Sequence, residues 1–68
     1  MNRVPIAVRI IEAVRFIARA ETRDGYADRS HISQRTTRAL ARRGLIESDT
    51  DGILLSDSGR TMLATVGL

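Results

Sequence analysis

Between Val4 and Ala20 the apolar residues recur at helical spacing rather than alternating, which predicts an amphipathic helix from about Pro5 to Thr22. Pro5 suits the first turn, where its missing N–H leaves no hydrogen bond unmade. At about 100° per residue, Ile6, Ala7, Ile10, Val14, Ile17 and Ala18 share one broad arc with Ile11 at its edge, while Arg9, Glu12, Arg15 and Arg19 lie opposite. That arc is the expected core face. Val8 and Phe16, two turns apart, fall among the charges, so Phe16 is expected to face away from the helix's main packing surface. They are candidates for a dimer or partner contact, and another element folding over them is the equal alternative.

Asp24-Gly25 signals a turn, and Tyr26 to Ile32 leaves room for little more than one helical turn. Ser33 is a suitable N-cap for a helix over Gln34 to Arg43, closed by Gly44 in the C′ position. Leu45 to Ser48, the turn Asp49-Thr50-Asp51-Gly52, and Ile53 to Ser56 read as a β-hairpin with a four-residue loop. Ser56 then caps a last helix, about Asp57 to Val66, which buries Met62, Leu63 and Val66 and stops at Gly67. The expected fold class is mostly α with a β-hairpin, as a single domain over residues 1–68.

Composition narrows the chemistry. With one Phe, one Tyr and no Trp, the core falls to aliphatic residues. The absence of cysteine removes disulfides, thiolate chemistry and zinc-thiolate sites, and suits a reducing compartment. Charges at Arg9, Glu12, Arg15 and Arg19 break the longest apolar stretch, so no membrane span or signal-peptide core is expected there. These features predict a soluble, cytoplasmic protein.

Charge is unevenly placed. Residues 1–28 hold five Arg against four acids, residues 29–43 hold five Arg and no acid, and residues 44–68 hold Arg60 against Glu47, Asp49, Asp51 and Asp57. Every cation is arginine, a forked donor for phosphate or guanine, although the codon bias of a GC-rich genome explains the same preference. On a helical wheel Leu40 faces inward beside Thr36 and Thr37, and Gln34, Arg35, Arg38 and Arg42 gather on the other side. Arginine can pair with guanine O6 and N7 or clamp a phosphate, and glutamine near a helix start can pair with adenine. Ser33 and the first-turn N–H groups add a possible phosphate contact. The candidate DNA-binding residues are therefore Ser33, Gln34, Arg35, Arg38 and Arg42, with a merely solvated basic face as the alternative.

Other chemistry is poorly supplied. Asp28 and His31 stand three apart, but no second His and no Cys complete a metal site. Asp49-Thr50-Asp51-Gly52 matches a fragment of a calcium loop, yet lacks its closing Glu, and a hairpin turn explains the same residues. His31, with Ser30 and Ser33 nearby, is the sole neutral-pH base and makes no catalytic triad. No enzyme activity, metal or cofactor is expected.

The order of elements resembles a winged helix-turn-helix, and two segments carry the likeness. "TTRALARRGLIE" (Thr36 to Glu47) looks like the end of a recognition helix running into the first wing strand of bacterial winged-helix regulators. "ILLSDSGRTML" (Ile53 to Leu63) looks like the second wing strand and following helix, where a Leu-Thr-x-x-Gly-Arg pattern is frequent in those families. The compactness is similar to small winged-helix proteins of actinobacteria and their phages. The resemblance implies double-stranded DNA as partner, a transcriptional or phage-type role, and a recognition helix in the major groove.

The chain also departs from those families. The helix before the recognition helix is compressed, the recognition helix is about one turn short, and the hairpin tip "SDTDG" is acidic where a wing that touches DNA offers Arg or Lys. Carboxylates there repel phosphates, so DNA contact falls to the helix. A homodimer through the first helix would set two recognition helices about 34 Å apart. The rival readings are a protein-interaction module presenting Phe16, Val8 and the basic face to a partner, and a structural subunit of a larger assembly; fold alone does not choose among them.

Overall fold

A computed structural model describes the backbone of residues 6–66 and the side chains of residues 7–65. Pro5 as the first helical turn, the Ile6 and Val66 side chains as core, and Gly67 as a helix stop lie outside the described residues. The order is α1 (Ile6–Asp24), a single 3-10 turn (Arg29–His31), α2 (Gln34–Arg42), β1 (Ile46–Ser48), β2 (Ile53–Leu55) and α3 (Asp57–Val66). Three helices and a two-stranded antiparallel hairpin thus form as the polar and apolar pattern predicts.

Helix α1 buries Ile10, Val14, Ile17 and Ala20. Its core face is turned from the expected arc. Ala13, Phe16 and Ala20 fall three or four residues apart in one row that joins the core, and the half-buried Phe16 packs against the cluster rather than facing away from it. The short side chains of Ala13 and Ala20 mark that row weakly in the sequence, which is why Phe16 looked isolated among charges. Ala7, assigned to the core arc, is exposed, as are Val8 and Arg9 beside it. Helix α1 continues two residues past the expected end at Thr22 and stops where the Gly25 N–H donates to the Glu21 carbonyl at 2.8 Å.

Ser33 caps α2: its hydroxyl accepts from the Thr36 N–H at 3.2 Å, and its carbonyl accepts from the Thr37 N–H at 2.9 Å. At the other end Gly44 has φ 67°, a left-handed conformation that costs side-chain-bearing residues energy. The Gly44 N–H donates to Ala41 O at 3.0 Å and the Leu45 N–H to Leu40 O at 3.0 Å, the paired bonds of a Schellman motif. That motif turns the chain so that the next residues run out as β1, with Leu40 and Leu45 both buried at the corner.

Ile46, Glu47 and Ser48 pair with Leu55, Leu54 and Ile53, and the intervening loop closes through the Asp49 N–H donating to Gly52 O at 2.8 Å. Ile53 and Leu55 point inward, while Glu47 and Ser48 are exposed. One more pairing lies outside the hairpin. Ala27 and Ile53 exchange both backbone hydrogen bonds at 2.9 Å, so the segment after α1 lends one residue to the sheet's edge.

Two polar clamps lock the last helix in place. The Ser56 N–H donates to Leu45 O at 3.0 Å, its hydroxyl donates to Gly44 O, and the same hydroxyl accepts from the Gly59 N–H at 3.1 Å. Ser56 therefore joins the start of α3 to the end of α2. Glu21 of α1 accepts from the Leu55 N–H at 3.3 Å and from Arg60 of α3 at 2.7 Å, tying three elements through one carboxylate. Gly59 sits so close to the chain before β1 that a Cβ there would lie 2.2 Å from Leu45 O. Met62 and Leu63 are half-buried against the same core.

Candidate nucleic-acid interface

The basic segment does not act as a single surface. Arg29 donates to the Asp49 carbonyl and fastens the 3-10 turn to the hairpin tip. Arg43 turns back onto its own helix and donates to Ala39 O at 3.0 Å. Three of the five arginines of that segment are left. Among the described residues, Arg35, Arg38 and Arg42 hold no hydrogen bond or ion pair, and all three are exposed.

The wheel geometry holds in the folded helix. Leu40 is fully buried and anchors the inner side of α2, with Thr36 and Thr37 half-buried beside it. Gln34, Arg35, Arg38 and Arg42 then occupy an outer arc of about 100°. From Arg35 to Arg42 the helix rises about 10 Å, the length of about three base pairs. Gln34, Arg35, Arg38 and Arg42, together with Ala39 and Arg43, line one shallow cleft along this face. A second cleft beside it, lined by Arg29, Ser30, Ile32, Gln34, Thr37 and Arg38, continues to the 3-10 turn.

Ser33 stands apart from the other candidates. Its hydroxyl proton goes to Thr36 Oγ1 at 2.9 Å, so the side chain keeps no donor for a phosphate. Its place is that of a cap which fixes the start of the basic helix. Val8 and Phe16 likewise separate: Val8 is 40% exposed, whereas Phe16 is packed against the core.

Among the remaining polar candidates, Asp28 and Asp49 have structural partners. Asp28 caps the 3-10 turn, accepting from Ser30 N at 2.8 Å and Ser30 Oγ at 2.7 Å. The Ser30 backbone bond, then the Ser30 hydroxyl, hold the Asp28 carboxyl below its ordinary range, with His31 and Arg29 adding to the effect. Asp49 Oδ1 accepts from the Thr50 N–H at 2.7 Å, a turn contact within the acidic tip. No cluster of three or more metal-ligating side chains occurs among the described residues. No described helix is long and apolar enough to cross a membrane.

Sequence reasoning missed the diversion of Arg29 and Arg43, because both contacts are to backbone carbonyls whose positions depend on the fold. It also missed the Ala27 bridge, a single residue without strand-like neighbours. Searches against protein-family models, curated proteins and solved structures find no match to this chain.

Proposed function

We propose that this chain is a small winged-helix DNA-binding protein whose helix α2 enters the major groove. One observation carries the reading: Arg35, Arg38 and Arg42 share an exposed face with Gln34, without a described acidic partner, on a helix whose opposite face is locked by the buried Leu40. Like charges three and four residues apart on an exposed helix repel one another by about 0.2–0.5 kcal/mol per pair, and the phosphates and guanine edges of duplex DNA are groups that forked guanidiniums bind. The Schellman turn and the Ser56 clamp hold the hairpin against the end of this helix, as a wing stands beside a recognition helix. The tip carries Asp49 and Asp51 and keeps away from phosphates, so α2 makes the contact.

A face about 10 Å long reads few base pairs, so sequence discrimination needs two copies, joined through α1 near Val8 and set on successive turns of the groove. The output is transcriptional regulation or a phage-type DNA-binding role. The test is duplex binding by the Arg38→Ala/Arg42→Ala variant: binding should be lost while the fold is kept. Unchanged binding by a folded variant would remove α2 from the interface.

A second reading, a winged-helix module that binds a partner protein rather than DNA, is favoured by one feature, the acidic hairpin tip. Under that reading the purified protein binds duplexes weakly and without sequence preference.

A further inference from the structure

A second groove, sharing no residue with the α2 face, runs between α1 and α3 with a volume of about 640 Å³. Its lining divides by chemistry. Ala18 and Thr22 of α1 and Leu63 and Ala64 of α3 form the floor, and Arg15, Arg19, Arg23 and Arg60 stand around it. The Thr22 hydroxyl donates to Ala18 O at 3.0 Å, so this side chain offers the groove its methyl group rather than a free donor. Small floor residues also let another backbone approach closely. Arg15, Arg19 and Arg23 are spaced four residues apart, a row of about 12 Å along α1.

Arginine dominates the rim: Arg19 is exposed, Arg15 makes a contact of its own, Glu21 holds Arg60 at 2.7 Å and Asp24 holds Arg23 at 3.0 Å. Those arginine side chains remain 70% (Arg23) and 57% (Arg60) exposed, and a guanidinium has five N–H donors, so both can still bind a second carboxylate. A second copy of this groove does not fit, because a two-fold contact would set one arginine row against another. Nucleic acid fits poorly too, since the apolar floor offers its bases and sugars no polar partner.

The geometry points to an acidic amphipathic helix of a partner protein as the occupant, its apolar side chains on Ala18, Thr22, Leu63 and Ala64 and its carboxylates, one turn apart, on Arg19 and Arg23. This is the helix-in-groove mode, with charges fixing register and orientation. It is independent of the α2 reading and adds a protein-docking face to a DNA-binding one.

The test titrates the isotope-labelled full chain with a synthetic helical peptide of about 15 residues, leucine on one face and glutamate flanking it at every fourth position. Saturable binding is expected, with amide shifts at Ala18, Thr22, Leu63 and Ala64. The same peptide with glutamine in place of glutamate should bind at least about tenfold more weakly, as should the Arg19→Glu and Ala64→Glu chains, both altered at exposed positions. The proposal is overturned by absence of saturable binding, by equal affinity for the glutamine peptide, or by shifts that map to residues 34–43. Duplex DNA that perturbs the groove residues instead of α2 also overturns it, by making the groove a nucleic-acid site.

Discussion

Gly59 shows how a single residue can decide whether α3 docks. An added Cβ would meet Leu45 O at 2.2 Å and Leu55 Cδ2 at 3.2 Å, and the carbonyl belongs to backbone that the Ser56 N–H also binds. Neither side can move without loosening the corner. Gly59→Ala, which elsewhere in a helix would be stabilising, should here cost about 3 kcal/mol or more, read by chemical denaturation. A neutral result would mean that α3 packs differently. The Gly-Arg pair was visible in the sequence as part of a wing-like pattern, but its physical reason, the approach to Leu45, needs the fold. Asp28 gives a second test at this scale. Its carboxyl is held low by Ser30, so the folded state favours the charged form. The stabilisation is present above the unfolded value, near 3.8, and is lost as pH falls through the lower folded value. Carbon-detected titration should place Asp28 below 3.8, and Ser30→Ala should bring it back toward that value. An unshifted Asp28 in the unaltered protein would contradict the cap.

Helix α2 was the most legible element, because each of its signals is local. Ser33 before the helix, the inward Leu40 and Gly44 after it fix its ends and orientation within a few residues of chain. Helix α1 was less legible, since alanine is small enough to serve either a buried or an exposed position: Ala7, expected in the core, is exposed, while Ala20, given no place on the expected arc, is buried, and Phe16 packs inward in the same row. The functional prediction at this scale concerns α2's outer face. Arg38 and Arg42 are exposed and have no described partner, so Arg38→Ala/Arg42→Ala should leave the thermal midpoint within about 2 °C while removing measurable duplex binding at physiological salt. If the variant loses stability to a similar extent as binding, these arginines serve the fold.

For the whole molecule, charge separates into zones that the linear sequence showed only in part. The regional count located the excess of arginine in residues 29–43, yet two of those five side chains, Arg29 and Arg43, bind backbone carbonyls. Conversely the α1–α3 groove draws Arg15, Arg19 and Arg23 together with Arg60, more than 35 residues later, a juxtaposition that no count along the chain reveals. The molecule thus presents a basic helix face at α2, an acidic hairpin tip, and an arginine-rimmed apolar groove, built on one small aliphatic core.

The central claim, that α2 binds duplex DNA through unpaired arginines, is tested most directly by fluorescence anisotropy of the purified chain on mixed-sequence and GC-rich duplexes between roughly 50 and 200 mM salt. If Arg35, Arg38 and Arg42 each neutralise a phosphate, the binding constant should fall with a logarithmic slope of about −2.7, a loss of roughly 40-fold across that range. In the Arg38→Ala/Arg42→Ala chain, whatever residual binding survives at the lowest salt should show a slope of about −0.9. No binding at the lowest salt, or a slope that the double substitution leaves unchanged, would contradict the account.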